Sequence, residues 1–303
     1  MIKRVLITGA NAGLGKETAK QLASRHEVEK IYLGCRNIDK ALAAKTELEK
    51  ITGRKIFHIL KIDVCDHASV KAAVQELDHS IDALVMNAGG TGGKNFDHVN
   101  SNGVTEIFAV NLLGHSLLTQ ELLRTGKLTK IAVYAGSEAA RGVKEMGMKR
   151  PALPTSSEEE FTAICDGSFF GKSQDATTPY GSIKYMGALW MSAMARRHPH
   201  VKFITMSPGA TTGTEGFNTL PTLKQYLMKG MMQVMLWLGK VHNVEVGAKR
   251  YINGIFNKEL KTGVFYASKK GLTGKVCDQS TLFSDLNSTE YQDNAYRAIQ
   301  RFL

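Results

Sequence analysis

Cysteine is scarce: Cys35, Cys65, Cys165 and Cys277 stand far apart, with no C-x-x-C pair. That argues against a disulfide-stapled scaffold and a cysteine-rich zinc site, and suits a reducing compartment. Long apolar runs are missing too. No stretch reaches the roughly 18 residues of a transmembrane helix. The opening MIKRVLITG has no h-region of a signal peptide, so a cytoplasmic protein is expected. The 29 glycines follow no triplet period and no heptads are sustained, which excludes collagen-like and coiled-coil rods. No repeat of fixed period is present, so a solenoid is excluded. Low-complexity tracts are absent, and 43% hydrophobic residues over 303 positions is too many for a disordered chain. The histidines show no metal-ligand spacing, and no metal is expected.

Charge is one-sided, with 39 Lys and Arg against 28 Asp and Glu, a net +11. Such a surface attracts anions: nucleic acid, acidic lipid or a phosphorylated ligand. Its longest purely basic runs are pairs such as Lys269-Lys270, the pattern of a generally basic surface. No DNA-reading motif accompanies them, so nucleic acid is not an expected partner.

Short apolar runs alternate with helical patterns from the first residues. Strands are predicted over 4–8, 30–33, 55–62, 83–86, 130–134, 201–206 and 263–267, and helices over 14–24, 69–77, 100–123, 179–197 and 244–256. Repeated β-α units with Val/Ile/Leu-rich strands imply an α/β fold, a doubly wound parallel sheet covered on both faces. Two stretches break the alternation. Residues 141–178 are polar and read as a long loop insert, with a short helix at the acidic run capped by Ser156 or Ser157. Residues 217–241 are rich in Leu and Met and read as helical. Neither resembles a linker, so residues 1–303 read as a single domain with two elaborations.

The stretch TGANAGLG, Thr8 to Gly15, lies between the first strand and the first helix. Gly9 permits a tight exit from the strand, Gly13 lets backbone approach a pyrophosphate, and Gly15 allows close helix–strand packing. The helix start adds free N–H groups and a positive dipole end. A glycine triplet alone also serves ordinary tight turns; its place after a strand and before a helix is what points to a dinucleotide. The end of the second strand selects the cofactor. An acid there would bind the ribose 2′-hydroxyl of NAD, whereas an arginine accommodates the 2′-phosphate of NADP. The chain reads Gly34-Cys35-Arg36-Asn37 with no acid before Asp39, so Arg36 is the expected phosphate ligand and NADP(H) the expected cofactor.

Further motifs follow in order: Asp63-Val64, Asn87-Ala88-Gly89, Asn111, Ser137, and Tyr180-Gly-Ser-Ile-Lys184. Together with the glycine turn, this series resembles the short-chain dehydrogenase/reductases over residues 4–215. The resemblance implies a Rossmann-type sheet, a nicotinamide cofactor and a catalytic set of Asn111, Ser137, Tyr180 and Lys184. It also implies a cofactor cradle of Gly9, Asn11, Gly13, Leu14, Gly15, Arg36, Asp63, Val64, Asn87, Ala88, Gly89, Tyr180, Lys184, Pro208, Gly209, Thr211 and Thr212. Within it Asp63 would contact the adenine, Lys184 would hold the nicotinamide ribose, and Asn111 would tie the lysine into a water-borne proton relay.

The residue types support that chemistry. Tyr180 and Lys184 stand four apart on a predicted helix and share a face. A nearby ammonium favours phenolate, which would bring a phenol of pKa ~10 toward neutrality as an acid/base. Ser137, at a strand's C-terminal end, would hydrogen-bond a developing oxyanion. Within the family, the stretches Gly15-Lys-Glu-Thr-Ala19, Cys35-Arg36 and Val110-Asn-Leu-Leu-Gly-His115 are similar to retinol dehydrogenases and light-dependent protochlorophyllide reductases. The long insert, Pro208-Gly209 with Thr211-Thr212-Gly213, and the tail over 245–268 are shared with the latter. Where those photochemical enzymes carry a cysteine after the Pro-Gly pair, this chain has Ala210, and Cys165 lies elsewhere. That departure favours dark carbonyl chemistry.

Substrate recognition is expected from the two elaborations. Met228, Met231, Met232 and Met235 suit an adaptable lid over a bulky apolar substrate, so 217–241 is read as a substrate lid. A membrane-resting helix, with Lys224, Lys229 and Lys240 nearby, is the rival reading. A face packed on the core or on a second copy in a homo-oligomer is the third. The leading function is hydride transfer between NADP(H) and a carbonyl or alcohol. Reduction of an activated C=C bond and a non-catalytic nucleotide sensor are the alternatives, the latter disfavoured by an intact Ser137, Tyr180 and Lys184.

Overall fold

A computed structural model describes residues 1–91, 93–143, 149–171, 176–212, 235–237 and 239–303. Strand and helix alternate through β1 (Arg4–Thr8), α1 (Gly13–Ala23), β2 (Lys30–Cys35), α2 (Ile38–Thr52), β3 (Phe57–Lys61), α3 (His67–Glu76) and β4 (Ile81–Met86). A helix in three parts follows: α4 (Glu106–Phe108), a π-turn (Ala109–Leu113) and α5 (Gly114–Arg124). Then come β5 (Leu128–Ala135), α6 (Glu158–Asp166), α7 (Thr177–Arg197), β6 (Lys202–Met206), α8 (Val244–Phe256), β7 (Val264–Ser268), β8 (Val276–Asp278) and α9 (Thr289–Gln300).

The strands form one sheet in the order β3-β2-β1-β4-β5-β6-β7-β8. Neighbours through β7 are parallel, while β8 returns antiparallel with Tyr266 opposite Asp278. The expected doubly wound parallel sheet is present, with an antiparallel edge added: the connection from β7 to β8 is too short for a crossover, so only a hairpin can form. Strand order reverses between β1 and β4, which opens a crevice at the C-terminal ends of those two strands.

Side chains alternate across the sheet and feed two cores. Leu6, Leu84 and Tyr134 join Phe108, Leu112 and Trp190 on one face. Val5, Ile7, Val85 and Val133 join Leu22 and Tyr251 on the other. Every residue of β4 is buried, as a central parallel strand requires.

The helix expected over 100–123 starts only at Glu106. Asn100 accepts from the Asn102 N–H (2.9 Å), Gly103 takes φ +74°, and this Asn/Gly chemistry makes a turn instead. Inside 141–178, α6 is capped by Ser157, whose oxygen accepts from the Glu160 N–H, while the Glu160 carboxylate accepts from the N–H of Ser156. Its Phe161, Ile164 and Cys165 are fully buried, so that helix belongs to the core. α9 buries Ala295, Ala298 and Ile299 and packs on α7 and α6.

Candidate active site

The glycine turn lies at the crevice. Gly9 and Gly13 adopt φ of +66° and +50°, the left-handed region in which a Cβ is strained. A Cβ on Gly15 would sit 2.3 Å from the Gly9 carbonyl oxygen, so only glycine lets α1 start this close to β1. Ala12 precedes α1 without a side-chain cap, and its first turn holds no acid. By contrast Asn37 and Asp66 cap α2 and α3. The opening of α1 therefore keeps its N–H groups for an anion, and a nicotinamide dinucleotide's pyrophosphate fits this cradle. Ala10 and Asn11 direct their N–H groups at the Cys35 sulfur, whose thiol burial pushes up to about 11. That contact ties the turn to the end of β2, where Arg36 projects with 76% of its side chain exposed, 3.8 Å from the Asp63 carboxylate.

Asn87 does not reach outward. Its amide donates to the carbonyls of Thr8 (3.0 Å) and Gly9 (3.2 Å), so it braces the glycine turn. Thr8 Oγ1 accepts from the N–H groups of both Asn87 and Ala88, each at 2.9 Å. Its own proton has two acceptors in reach, His115 Nε2 at 3.0 Å and the Val85 carbonyl at 3.5 Å. His115 Nδ1 faces the Asn111 carbonyl at 3.3 Å; a carbonyl can only accept, which assigns the imidazole proton to Nδ1. Burial pushes His115 down to about 3, so the ring is neutral. Asn111 lies in the π-turn, an irregularity often found at functional sites. Its amide donates to the carbonyls of Gly90 (2.7 Å) and Ile107 (2.8 Å), and its side-chain oxygen accepts from the Gly90 N–H. Gly89 is held beside it: a Cβ there would be 2.5 Å from Asn111 Oδ1 and 3.7 Å from Lys184 Nζ.

The structure brings Ser137, Tyr180 and Lys184 together. Ser137, just beyond β5, accepts from the Ala139 N–H at 3.2 Å, and its side chain faces the Tyr180 hydroxyl. Lys184 is buried; its ammonium donates to the Ala135 carbonyl at 2.9 Å and lies 5.6 Å from the Tyr180 ring centroid. Burial lowers Lys184 to about 7. The Tyr180 phenol is raised, with burial the larger cause and the Ser137 hydrogen bond opposing it. The expected lowering by the ammonium is thus reversed in direction: desolvation of the phenolate dominates where the phenol is packed against apolar neighbours.

The remaining cradle residues line the same edge. The Asp63 carboxylate accepts from the Cys65 N–H at 3.0 Å, which fixes the loop carrying Val64. Pro208 presents its carbonyl 2.6 Å from His242 Nε2, and Gly209 at φ +76° turns the chain where a Cβ would strike the His242 ring. Thr211 donates to the Gly209 carbonyl, and the Thr212 N–H donates to the carbonyl of His242. A Cβ on Gly247 of α8 would meet both Leu14 and Thr211, so the start of α1 and this segment share one support. Of the expected lid, residues 217–234 and 238 lie outside the described residues; Trp237 is 85% exposed.

Sequence reasoning missed several residues on which the site depends. Thr8, His115 and Tyr134 form its floor. Gly114 is required because a Cβ would fall 1.7 Å from the Val64 carbonyl oxygen. Glu138 is buried beside Ser137 and accepts from Ser207 Oγ (3.0 Å), the Ser268 N–H (3.0 Å), Ser268 Oγ (2.9 Å), Arg250 (3.5 Å) and Arg141. An acid next to the expected serine was the available signal for Glu138; Thr8 opens the glycine stretch and Gly114 and His115 close the Val110 to His115 stretch, while Tyr134 carries none beyond its type.

Residues 3–143 match the family described as short chain dehydrogenase. Retinol dehydrogenase 11 of Mus musculus is 37% identical over 127 residues, covering 40% of this chain and 38% of the mouse protein's own length. The short chain dehydrogenase resG of Aspergillus sclerotiorum is 27% identical over 266 residues, 82% of this chain and 70% of that one. Among solved structures, L-sorbose reductase of Gluconobacter frateurii, crystallised with NADPH and L-sorbose, superposes with a TM-score of 0.65. It is 14% identical, with 90% of this chain and 97% of that one covered, and so shows the shared fold. Over residues 3–143 the chain is thus similar to the short-chain dehydrogenases, and it spans well under half the length of the mouse retinol dehydrogenase it matches.

Proposed function

We propose that the chain is an NADP(H)-dependent oxidoreductase that interconverts a carbonyl and an alcohol on a bulky apolar substrate, with Tyr180 as the proton donor. The observation that carries this reading is the convergence of Ser137 and Tyr180 beside the buried Lys184, at the crevice that the glycine turn opens. NADP(H), when bound, supplies or accepts the hydride. Gly9, Asn11, Gly13, Leu14 and Gly15 would hold its pyrophosphate, Arg36 its 2′-phosphate, and Ala88 and Gly89 with Pro208 to Thr212 its nicotinamide half, while Asn87 braces the glycine turn from behind.

The chain's own residues handle the proton. With its pKa raised, Tyr180 stays a neutral phenol at physiological pH, the state a general acid needs when a carbonyl is reduced. The Ser137 hydroxyl, facing that phenol, is placed to hold the substrate oxygen as negative charge develops on it. Lys184 supplies the positive charge that stabilises Tyr180 once its proton has left. The retinol dehydrogenase names of relatives support an apolar substrate, and the NADPH complex of a structural neighbour supports the cofactor.

Steady oxidation of NADPH with a panel of hydrophobic aldehydes, ketones and enones tests the reading. Carbonyl reduction is expected, and Tyr180→Phe should slow it by ~10²–10⁴ while leaving NADPH binding in place. Turnover of the enones alone, or near-normal rates in Tyr180→Phe, would overturn it.

A further inference from the structure

Tyr134, on β5, is fully buried, and its hydroxyl and ring face are committed to two different members of the site. The hydroxyl donates to the Asn111 main-chain carbonyl at 2.9 Å. The ring face lies under Lys184, with Nζ 4.8 Å from the centroid. Two edge contacts fix the ring plane: His115 at 6.3 Å and 77°, and Trp190 at 6.2 Å and 79°. The catalytic helix makes room for it. A Cβ on Gly187 of α7 would sit 2.4 Å from the ring and 2.8 Å from the hydroxyl oxygen, so this phenol and this glycine require each other.

We propose that Tyr134 is a positioning residue whose aromatic face holds Lys184 as an ammonium beneath Tyr180; the proposal rests on Lys184 being part of the acid/base set. Three titratable groups surround the ammonium: Tyr180 on its own helix, Tyr134 on β5 and His115 on α5. Both phenols are raised by burial and His115 is held down, so none of the three offers a negative charge near neutrality. Only the Ala135 carbonyl accepts a hydrogen bond from Nζ among the described residues. The quadrupole of a desolvated ring face is the remaining source of negative potential, and it favours a cation by on the order of tenfold or more. Burial favours the neutral amine of Lys184, and the ring face opposes that tendency. The hydroxyl acts separately, fixing the Asn111 carbonyl and so the π-turn that bears the Gly90 contacts.

The ionisation of Lys184 can be read in the free protein by a pH titration of [13Cε]lysine resonances, with Lys184 assigned by the signal lost in Lys184→Arg. Tyr134→Phe keeps the ring face and should leave the midpoint within about 0.3 unit. Placing 3,5-difluorophenylalanine and then pentafluorophenylalanine at position 134 preserves the shape while draining the face. The midpoint should then fall stepwise by a total of about one unit, a tenfold loss of proton affinity. Tyr134→Met should fall as far as the pentafluoro variant. A flat fluorination series, or a Tyr134→Met midpoint equal to that of Tyr134→Phe, overturns the proposal. Because no substrate is involved, a stepwise fall in a protein that reduces no carbonyl would overturn the function proposed above and leave this assignment standing.

Discussion

Replacing Glu138 by glutamine tests how the site is braced from behind. The carboxylate is 4% exposed and faces two guanidiniums whose side chains are only 8% and 9% exposed, Arg141 and Arg250. Burial already lowers the Arg250 guanidinium, with Glu138 as the opposing charge. Glutamine keeps the volume but removes the charge, and its amide nitrogen must turn a donor toward groups that are themselves donors. Breaking a buried ion pair by removing one partner costs ~3–5 kcal/mol, because the surviving charge stays buried. At roughly 2–4 °C per kcal/mol for a domain of a few hundred residues, the melting temperature should drop on the order of 10 °C. Circular dichroism melts of the two proteins in the same buffer measure it. Adding Arg250→Met to Glu138→Gln should cost less than the sum of the single changes, since each removes the other's reason to be expensive. A drop under about 2 °C, or strict additivity of the pair, would refute the reasoning from buried charge.

Three further outcomes follow from the same geometry. Arg36→Ala should weaken NADPH binding more than tenfold by calorimetric titration and leave NADH affinity unchanged, because only NADPH offers the 2′-phosphate for a charge-assisted bond worth ~1.5–3 kcal/mol. Gly15→Ala should lower both stability, by ~1–3 kcal/mol in urea melts, and NADPH affinity, since its Cβ forces α1 away from the Gly9 carbonyl. Lys184 titrates near 7 when folded and at ~10.4 when unfolded, so between those values the unfolded chain binds the extra proton. Its contribution to stability therefore rises with pH across about 7–10, and the melting temperature of the wild type relative to Lys184→Met should climb over that window.

The sheet was legible because its strands are short Val/Ile/Leu runs closed by turn residues, and TGANAGLG sits at one such junction. Ser137, Tyr180 and Lys184 were legible as residue types at given spacings, and the fold does bring them together. Periodicity hid α2 and α9. In α9 the buried positions include Gln292 and Asn294, so its inward face does not read as apolar. The start of α4 was misjudged because Phe108 and its apolar neighbours extend a helical pattern back through Asn100 to Gly103, whose side-chain chemistry makes a turn. The direction of the Tyr180 shift was out of reach, since burial is set by residues far apart in sequence. His115 and Tyr134 look like ordinary core residues until the fold places them against Thr8, Asn111 and Lys184.

The helix that carries Tyr180 and Lys184 is closed on its outer side by α9, which is synthesised only after the last strand of the sheet. During translation the glycine turn and the first four strands can associate early, as local β-α units do. The apolar flank of α7 meanwhile has no cover until α9 has left the ribosome. A nascent chain would thus be able to form its glycine turn well before Tyr180 and Lys184 are locked in place. Stalling or truncation ahead of Thr289 should leave exposed apolar surface on α7, the kind of surface on which chaperones act and from which aggregation begins.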